Sequence, residues 1–392
     1  MRRRFMISRT KVNYLMKHLL KAIGITEEKT GYRELLVKKI SDFMQTENIL
    51  LMPSGRCGLY CILKAIPRKK VIIPAYTCKA VAEAAILAGK DIVYVDAEEN
   101  GFNVDVAALK DVMDENSIFI ATHQFGIPCR ISDIIKLAED KKTIVIEDAA
   151  ASLGSRIQNK LTGTFGKAAF FSFDSTKLIN IPMKGGFVIS EDQQIMKEIK
   201  RICHDELLPM PAVHKYKLLI MALMLIVIEN PLIYRIFYTL YFELRGKCTE
   251  DSSNLDLQKG PFYSYEMAEW QAFIASEQMD NIHEIIKKRR ILYASYLKEL
   301  SGLSSFELPP ADINEEWSCI RFPIRIKGDK MAFYKKAVKR GVDFAFSFTY
   351  PPCPTNYKKA HILAESVLDL PYYAKLDELE RKKVVNVLRS IG

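Results

Sequence analysis

Between residues 48 and 190 the chain alternates short apolar runs with segments of helical length; the runs are NILLM, KVIIP, DIVYV, SIFIAT, TIVIE, AAFFSF and GGFVIS. Runs without polar alternation mark strands buried on both faces. The crossover-length segments between them, such as GLYCILKAI and AVAEAAILAG, mark helices laid over a sheet. The pattern predicts an α/β fold: a mostly parallel seven-stranded sheet flanked by helices, in a large domain over residues 31–209.

The pattern breaks after about residue 210. Leu218 to Val227 carries no charged or polar residue. As a helix, Leu218 to Ile228 would be about 16 Å long, roughly half of a hydrocarbon core, so it is too short to span one. Asn230 can cap and Pro231 can open a second helix, whose Tyr234, Phe237, Tyr238, Tyr241 and Phe242 share one side, with Arg235, Arg245 and Lys247 around and after it. An apolar helical hairpin inserted at 210–259 follows. It packs into the core or a subunit interface, or residues 216–246 dip into an anionic membrane surface.

From 260 to 392 the expectation is a smaller C-terminal α+β domain. Its elements are a long helix from Met267 to Leu300, a strand CIRFPIRI, a helix ending before Gly341, a strand VDFAFSF and a final helix from Glu378 to Arg389. At the other end, residues 1–30 open on MRRR. Lys11, Lys17, His18 and Lys21 interrupt the apolar core that an export signal needs, so the segment reads as an amphipathic helical arm of a cytoplasmic protein.

Composition narrows the class. Hydrophobic residues at 49% and charged residues at 27% of 392 exclude wholesale disorder, and 18 Gly with 16 Pro exclude a collagen-like chain. The net charge of +10 suits a phosphorylated ligand, an anionic bilayer or nucleic acid. No groove-reading element or RNA-binding aromatic signature is present, and Lys287 to Arg290 reads as a solvated helix face, so nucleic acid is not expected. The eight cysteines form no CxxC and no His stands at ligand spacing, which points to a reducing compartment and no metal site.

Candidate chemistry concentrates between IEDAAASLGS and GGFVIS. Asp148 falls just past one strand and Lys177 just past another, where open α/β sheets build their sites. A lysine flanked by Ser172, Ser175 and Thr176 can form an imine with an aldehyde cofactor, and an acid at a neighbouring strand end can pair with a ring nitrogen. Pyridoxal phosphate needs that combination. An ionised Asp148 would keep the pyridinium protonated, and Lys177, its pKa lowered by desolvation, would shuttle the substrate's α-proton.

The surrounding strings resemble the DegT/StrS-type sugar aminotransferases, a fold type I family of pyridoxal phosphate enzymes, over nearly all of residues 31–392 outside the hairpin. They are PSGRCGLYCIL at 53–63, VIIPAYTC and AILAGKDIVYVD within 71–96, THQFGIPCRISDI at 122–134, IEDAAASLGS at 146–155 and SFDSTK at 172–177. YSYEMAEWQAFIASEQMDNI at 263–282 and VLDLPYYAKLDELERKKVVNVL at 367–388 complete the series. The resemblance implies that Lys177 is the cofactor lysine, Asp148 the partner of the pyridine nitrogen and Ser172 a phosphate-binding serine. It places Gly55 and Arg56 where backbone amides meet the phosphate, a role that the start of a helix after PSGR would also favour physically.

Some positions depart from the family pattern. Cys78 stands where an aromatic ring usually stacks on the cofactor, Ala151 where Gln or His is common, and Lys184 where an acid precedes paired glycines. Ser264 and Glu266 replace Asn and Arg in a region that reaches the neighbouring subunit. His123 reads as a hydrogen-bonded structural histidine or a site-lining one, and Tyr350 and His361 remain unassigned. The resemblance implies an aminotransferase, a homodimer, that moves an amino group from a donor such as glutamate to a keto sugar nucleotide for surface-polysaccharide or related amino-sugar biosynthesis. The departures motivate another reading, a membrane-surface scaffold of a polysaccharide-assembly system that keeps the fold without the chemistry. A scaffold has no need of Lys177.

Overall fold

A computed structural model describes residues 5–26, 30–244, 253–310 and 316–392. The seven apolar runs all become strands of one sheet: β1 (Ile49–Met52), β2 (Lys70–Pro74), β3 (Asp91–Val95), β4 (Ser117–Thr122), β5 (Ile144–Asp148), β6 (Ala168–Ser172) and β7 (Gly186–Ile189). Their order is β1-β7-β6-β5-β4-β2-β3, and only β7 opposes the rest. Ile72, Ile73, Phe119, Ile120 and Ile146 are fully buried, as strands covered on both faces require.

Helices cover the sheet. They include α1 (Met16–Ile23), α2 (Tyr32–Met44), α3 (Gly55–Ala65), α4 (Lys79–Leu87), α5 (Ile131–Lys141) and α6 (Gln193–Glu206). Caps set several starts: Ser54 Oγ accepts from the Cys57 amide at α3, and Asp192 accepts from Gln194 and Ile195 at α6. The N-terminal segment departs from expectation, since only Met16–Ile23 is helical. Met6, Ile7, Val12 and Tyr14 are instead buried in an extended run whose Ile7 bridges Val342, while Arg9 pairs with Asp343 at 2.6 Å.

The hairpin consists of α7 (Ala212–Ile228) and α8 (Pro231–Tyr238), followed by a π-helical turn over Thr239–Glu243. The chain turns by 107° between the two parts. Asn230 Oδ1 accepts from the Leu232 amide and Pro231 opens α8. Tyr234, Tyr238 and Phe242 are buried against the C-terminal part: Tyr238 and Tyr334 hydroxyls lie 2.8 Å apart, and Tyr234 hydrogen-bonds Asp343. Arg245 and Lys247 lie outside the described residues.

Further elements toward the C-terminal side include α9 (Glu269–Met279), α10 (Ile282–Leu300), β8 (Phe306–Glu307), β9 (Phe322–Ile326), α11 (Lys330–Lys339), α12 (Lys358–Ser366), β10 (Val367–Leu370) and α13 (Glu378–Ile391). The strands pair antiparallel in the order β8-β9-β10. The long helix expected over 267–300 is two helices, because Asn281 (φ −110°, ψ 13°) leaves helical geometry and opens α10. VDFAFSF makes isolated bridges at Val342 and Ala345 instead of a strand. Its apolar residues fill the core beside the N-terminal segment, and Phe348 turns to φ 52°, so hydrophobicity here signalled burial without a ladder.

Candidate active site

The sheet register fixes the centre of the site. Thr122 of β4 pairs with Asp148 of β5, and Asp148 pairs with Phe170 of β6, so these strands end side by side. After Ser172 the chain leaves β6 in a turn where the Lys177 amide donates to Asp174 O at 2.9 Å. Asn180 pins the exit from this turn: its side chain donates to Lys177 O and accepts from the Asn13 amide, and its backbone exchanges hydrogen bonds with the Gln278 side chain.

A cavity of about 210 Å³ opens at these strand ends. Lys177, Asp148, Ser172, Gly55, Arg56 and Cys78 all line it. Ala151 and Lys184 line it as well, the latter held by Asp174 at 3.0 Å.

Electrostatics differ sharply among these groups. Burial pushes the Asp148 carboxyl up from its ordinary range, and Lys177 pulls it back. Burial likewise lowers the Lys177 ammonium, against the pull of Asp148 and Asp174. For Asp174 burial acts upward, but Lys184 and Lys177 together hold it below the usual carboxylate range.

The start of α3 forms another wall. An added Cβ on Gly55 would lie 3.0 Å from Ser172 Cβ, and one on Gly186 would lie 2.2 Å from Phe171 O and 3.1 Å from Gly55 N. The two glycines thus let the helix N-terminus sit directly on β6 and β7. Its unpaired amides and dipole suit a phosphate. Arg56 is turned toward the buried Glu83 at 3.4 Å. Cys78 is the N-cap residue of α4 and is exposed.

His123 also borders the cavity, but its ring serves the scaffold. Nδ1 accepts from the Cys129 amide at 3.2 Å, and Nε2 lies 3.1 Å from Glu147. Glu147 is fully buried and accepts from the amides of Gly163, Phe165 and Gly166 at 2.7, 2.6 and 2.8 Å. Adjacent strand residues point to opposite faces, so Glu147 braces the loop before β6 while Asp148 faces the cavity.

Several lining residues carried no signal in the sequence. Thr77 presents a buried hydroxyl without a hydrogen-bond partner. Arg321 arrives from the segment leading into β9, held by Asp369 at 3.1 Å, and Phe348 arrives from the turn after Ala345. Nothing in CIRFPIRI set Arg321 apart from Arg325. Other residues singled out from sequence lie elsewhere. Ser264 donates to Gly260 O, Glu266 pairs with Arg33 at 3.0 Å, Tyr350 is exposed, and His361 approaches Pro354 O at 3.2 Å.

The sequence profile of the DegT/DnrJ/EryC1/StrS aminotransferase family matches residues 28–389. A UDP-N-acetyl-3-dehydro-alpha-D-glucosamine 3-aminotransferase of Acidithiobacillus ferrooxidans is 23% identical, over 86% of this chain and 82% of its own. The fold matches that of PseC from Helicobacter pylori, an aminotransferase of pseudoaminic acid biosynthesis, with a TM-score of 0.77 at 16% identity over 98% and 99% of the two chains. A sugar aminotransferase from Streptococcus pneumoniae gives 0.77 at 18% identity, over 98% of each chain. With a match that spans residues 28–389, the chain belongs to the DegT/DnrJ/EryC1/StrS family of pyridoxal phosphate-dependent aminotransferases.

Proposed function

We propose that this protein moves an amino group from glutamate to a keto sugar carried on a nucleotide, as a step in making an amino sugar for surface polysaccharide or a related product. The observation that carries the reading is the cavity that gathers Lys177, Asp148, Ser172 and the start of α3 at neighbouring strand ends, in a chain of this family. Its curated relatives include the 3-aminotransferase above and GDP-perosamine synthases, which supports a nucleotide sugar as acceptor.

The residues present fit the cofactor. Gly55, Arg56 and Ser172 line the cavity where α3 starts, so the amides of Gly55 and Arg56 and the Ser172 hydroxyl would take a phosphate there. The unpartnered Thr77 hydroxyl is available to a bound group. Asp148 would face the ring nitrogen, Cys78 a face of the ring, and Lys177 would hold the cofactor through Nζ. Pyridoxal phosphate supplies a reactive aldehyde and an electron-withdrawing ring. Asp148 would keep a proton at the ring nitrogen, and Lys177, its pKa lowered by burial, would take and return the substrate's α-proton. The cationic surplus of +10 favours approach of a diphosphate-bearing substrate.

The family reading extends to a homodimer. A cytoplasmic setting is supported by the cysteines, of which the seven described are free thiols. The experiment is an absorbance spectrum of purified protein with pyridoxal phosphate, before and after glutamate, for wild type, Lys177→Ala and Asp148→Asn. A visible band that glutamate bleaches in wild type, that Lys177→Ala lacks, and that bleaches on the order of 100-fold more slowly in Asp148→Asn supports the reading. No band at saturating cofactor refutes it in favour of the scaffold. Amino transfer to keto sugars on UDP or GDP then tests the acceptor.

A further inference from the structure

Three helices carry an apolar face that the fold leaves open. On α7, Leu218, Leu219 and Ala222 are buried against the protein, yet the opposite side is also apolar: Val213, Tyr216, Ile220, Met224 and Val227 are exposed, Val213 by 82% and Ile220 by 58%. The residues recur at helical spacing, so this is one face. Next to it, α8 and its continuation expose Leu232, Ile233, Ile236 and Leu240, and α1, which packs on α7, exposes Met16, Leu20 and Ile23. A surface helix of a soluble domain turns polar residues outward, and an open apolar face of this extent marks a contact surface.

Charge identifies the occupant. The sequences of α1, α7 and α8 contain Lys17, Lys21, Lys215, Lys217 and Arg235 and no Asp or Glu. Lys17, Lys21 and Lys217 are exposed beside the apolar residues. Glu229, between the helices, is taken by Lys375 and the Val12 amide, and Glu243, past α8, is paired with Arg235. A second copy of this chain docking isologously would bring the exposed Lys17, Lys21 and Lys217 toward their own counterparts, and the three helices hold no acid to pair them. An anionic lipid surface meets both features at once, taking apolar side chains at its headgroup boundary and lysines at its phosphates.

The geometry fits a surface contact. Among the described residues no single helix is long and apolar enough to cross a bilayer, and α7, at 17 residues, is about 25 Å long. Two helix axes meeting at a turn define a plane, so α7 and α8 can lie together along a headgroup layer. We propose that the outward faces of α1, α7 and α8 form a docking surface for an anionic bilayer.

The test uses the full chain without cofactor or substrate, so it stands apart from the catalytic reading. The protein is floated with vesicles of phosphatidylcholine alone and of phosphatidylcholine mixed with phosphatidylglycerol, at low and high salt. The expected result is flotation with the mixed vesicles, weakened by salt. Lys17→Glu with Lys217→Glu should weaken it roughly fivefold or more per site. Ile220→Glu with Ile236→Glu, both at exposed positions and therefore compatible with folding, should abolish it while the melting temperature holds. No flotation with the mixed vesicles, or flotation that these variants leave unchanged, overturns the proposal. So does a sedimentation mass that falls from dimer to monomer in Ile220→Glu with Ile236→Glu, because that assigns the face to a second copy. Equal flotation with both vesicle types, insensitive to salt, overturns the anionic assignment.

Discussion

Gly186→Ala tests whether the site depends on the seating of α3 against the sheet. Gly186 pairs with Met52 of β1 on one side and Ser172 of β6 on the other, and the first residue of α3 rests on it. The new methyl would lie 2.2 Å from Phe171 O, more than 1 Å inside the roughly 3.5 Å optimum for non-bonded heavy atoms. Phe171 is buried in β6 and paired with Phe187, so it cannot yield far. The other neighbour, Gly55 N at 3.1 Å, begins a helix that can translate. Overpacking of this kind costs about 1–3 kcal/mol. Where α3 moves to relieve it, the amides meant for the phosphate move too, and cofactor affinity falls by roughly 5- to 150-fold. Where α3 holds, the same cost appears as a lower urea midpoint of the apoprotein. Titration of apoprotein with pyridoxal phosphate, followed by visible absorbance, measures the first, and urea unfolding followed by circular dichroism the second. Gly260→Ala is the control, since nothing lies within 4 Å of its added Cβ. A Gly186→Ala variant with wild-type cofactor affinity and wild-type urea midpoint would refute the reasoning.

Two further expectations follow from buried and half-buried charge. Glu147→Gln keeps the shape but presents an amide –NH₂ to a site where one carboxylate accepts three backbone N–H groups, so stability should drop by about 3 kcal/mol, read as the urea midpoint. A loss below measurement error would show that the loop before β6 does not need that carboxylate. Glu206 joins α6 to α3 and Lys259: burial acts to raise its pKa, but hydrogen bonds from Lys259, Lys64 and Tyr60 bring it down to about 2 from an ordinary 4.5. A depressed folded pKa gives stability that is complete above 4.5 and is lost as pH falls toward 2. Glu206→Gln should therefore flatten the fall of stability over that window in acid titrations of the urea midpoint, and an unchanged slope would count against the contribution.

Much of the fold was legible because strands buried on both faces leave a plain trace. All seven runs, from NILLM to GGFVIS, are strands of one sheet. The meeting of Lys177 and Asp148 at one cavity was legible for a related reason, since residues just past parallel strands share one edge of the sheet, while Ser172 and Gly55 were singled out through the family resemblance. Thr77, Arg321 and Phe348 were not, since tertiary contacts bring them to the cavity and no local pattern encodes that. VDFAFSF misled because apolar density reports burial and says nothing of hydrogen-bonded pairing. The N-terminal segment misled in the opposite way, since its buried residues are spaced for an extended run under lysines that look helical. For the hairpin, packing and exposure both hold, on opposite sides of the same helices.

The N-terminal run has a consequence for how the protein is made. Arg9 leaves the ribosome well before its carboxylate partner, Asp343, which stands 334 positions later. At ordinary elongation rates the two appear about 17–70 s apart. Throughout that interval Ile7 lacks its bridge to Val342, and Tyr234 of α8 lacks its hydrogen bond to Asp343. The sheet, complete by Ile189, can form while translation continues, but these contacts wait for residues 342 and 343. Nascent chains stalled just before Val342 should accordingly be more open to proteases around Ile7 and Arg9 than released ones.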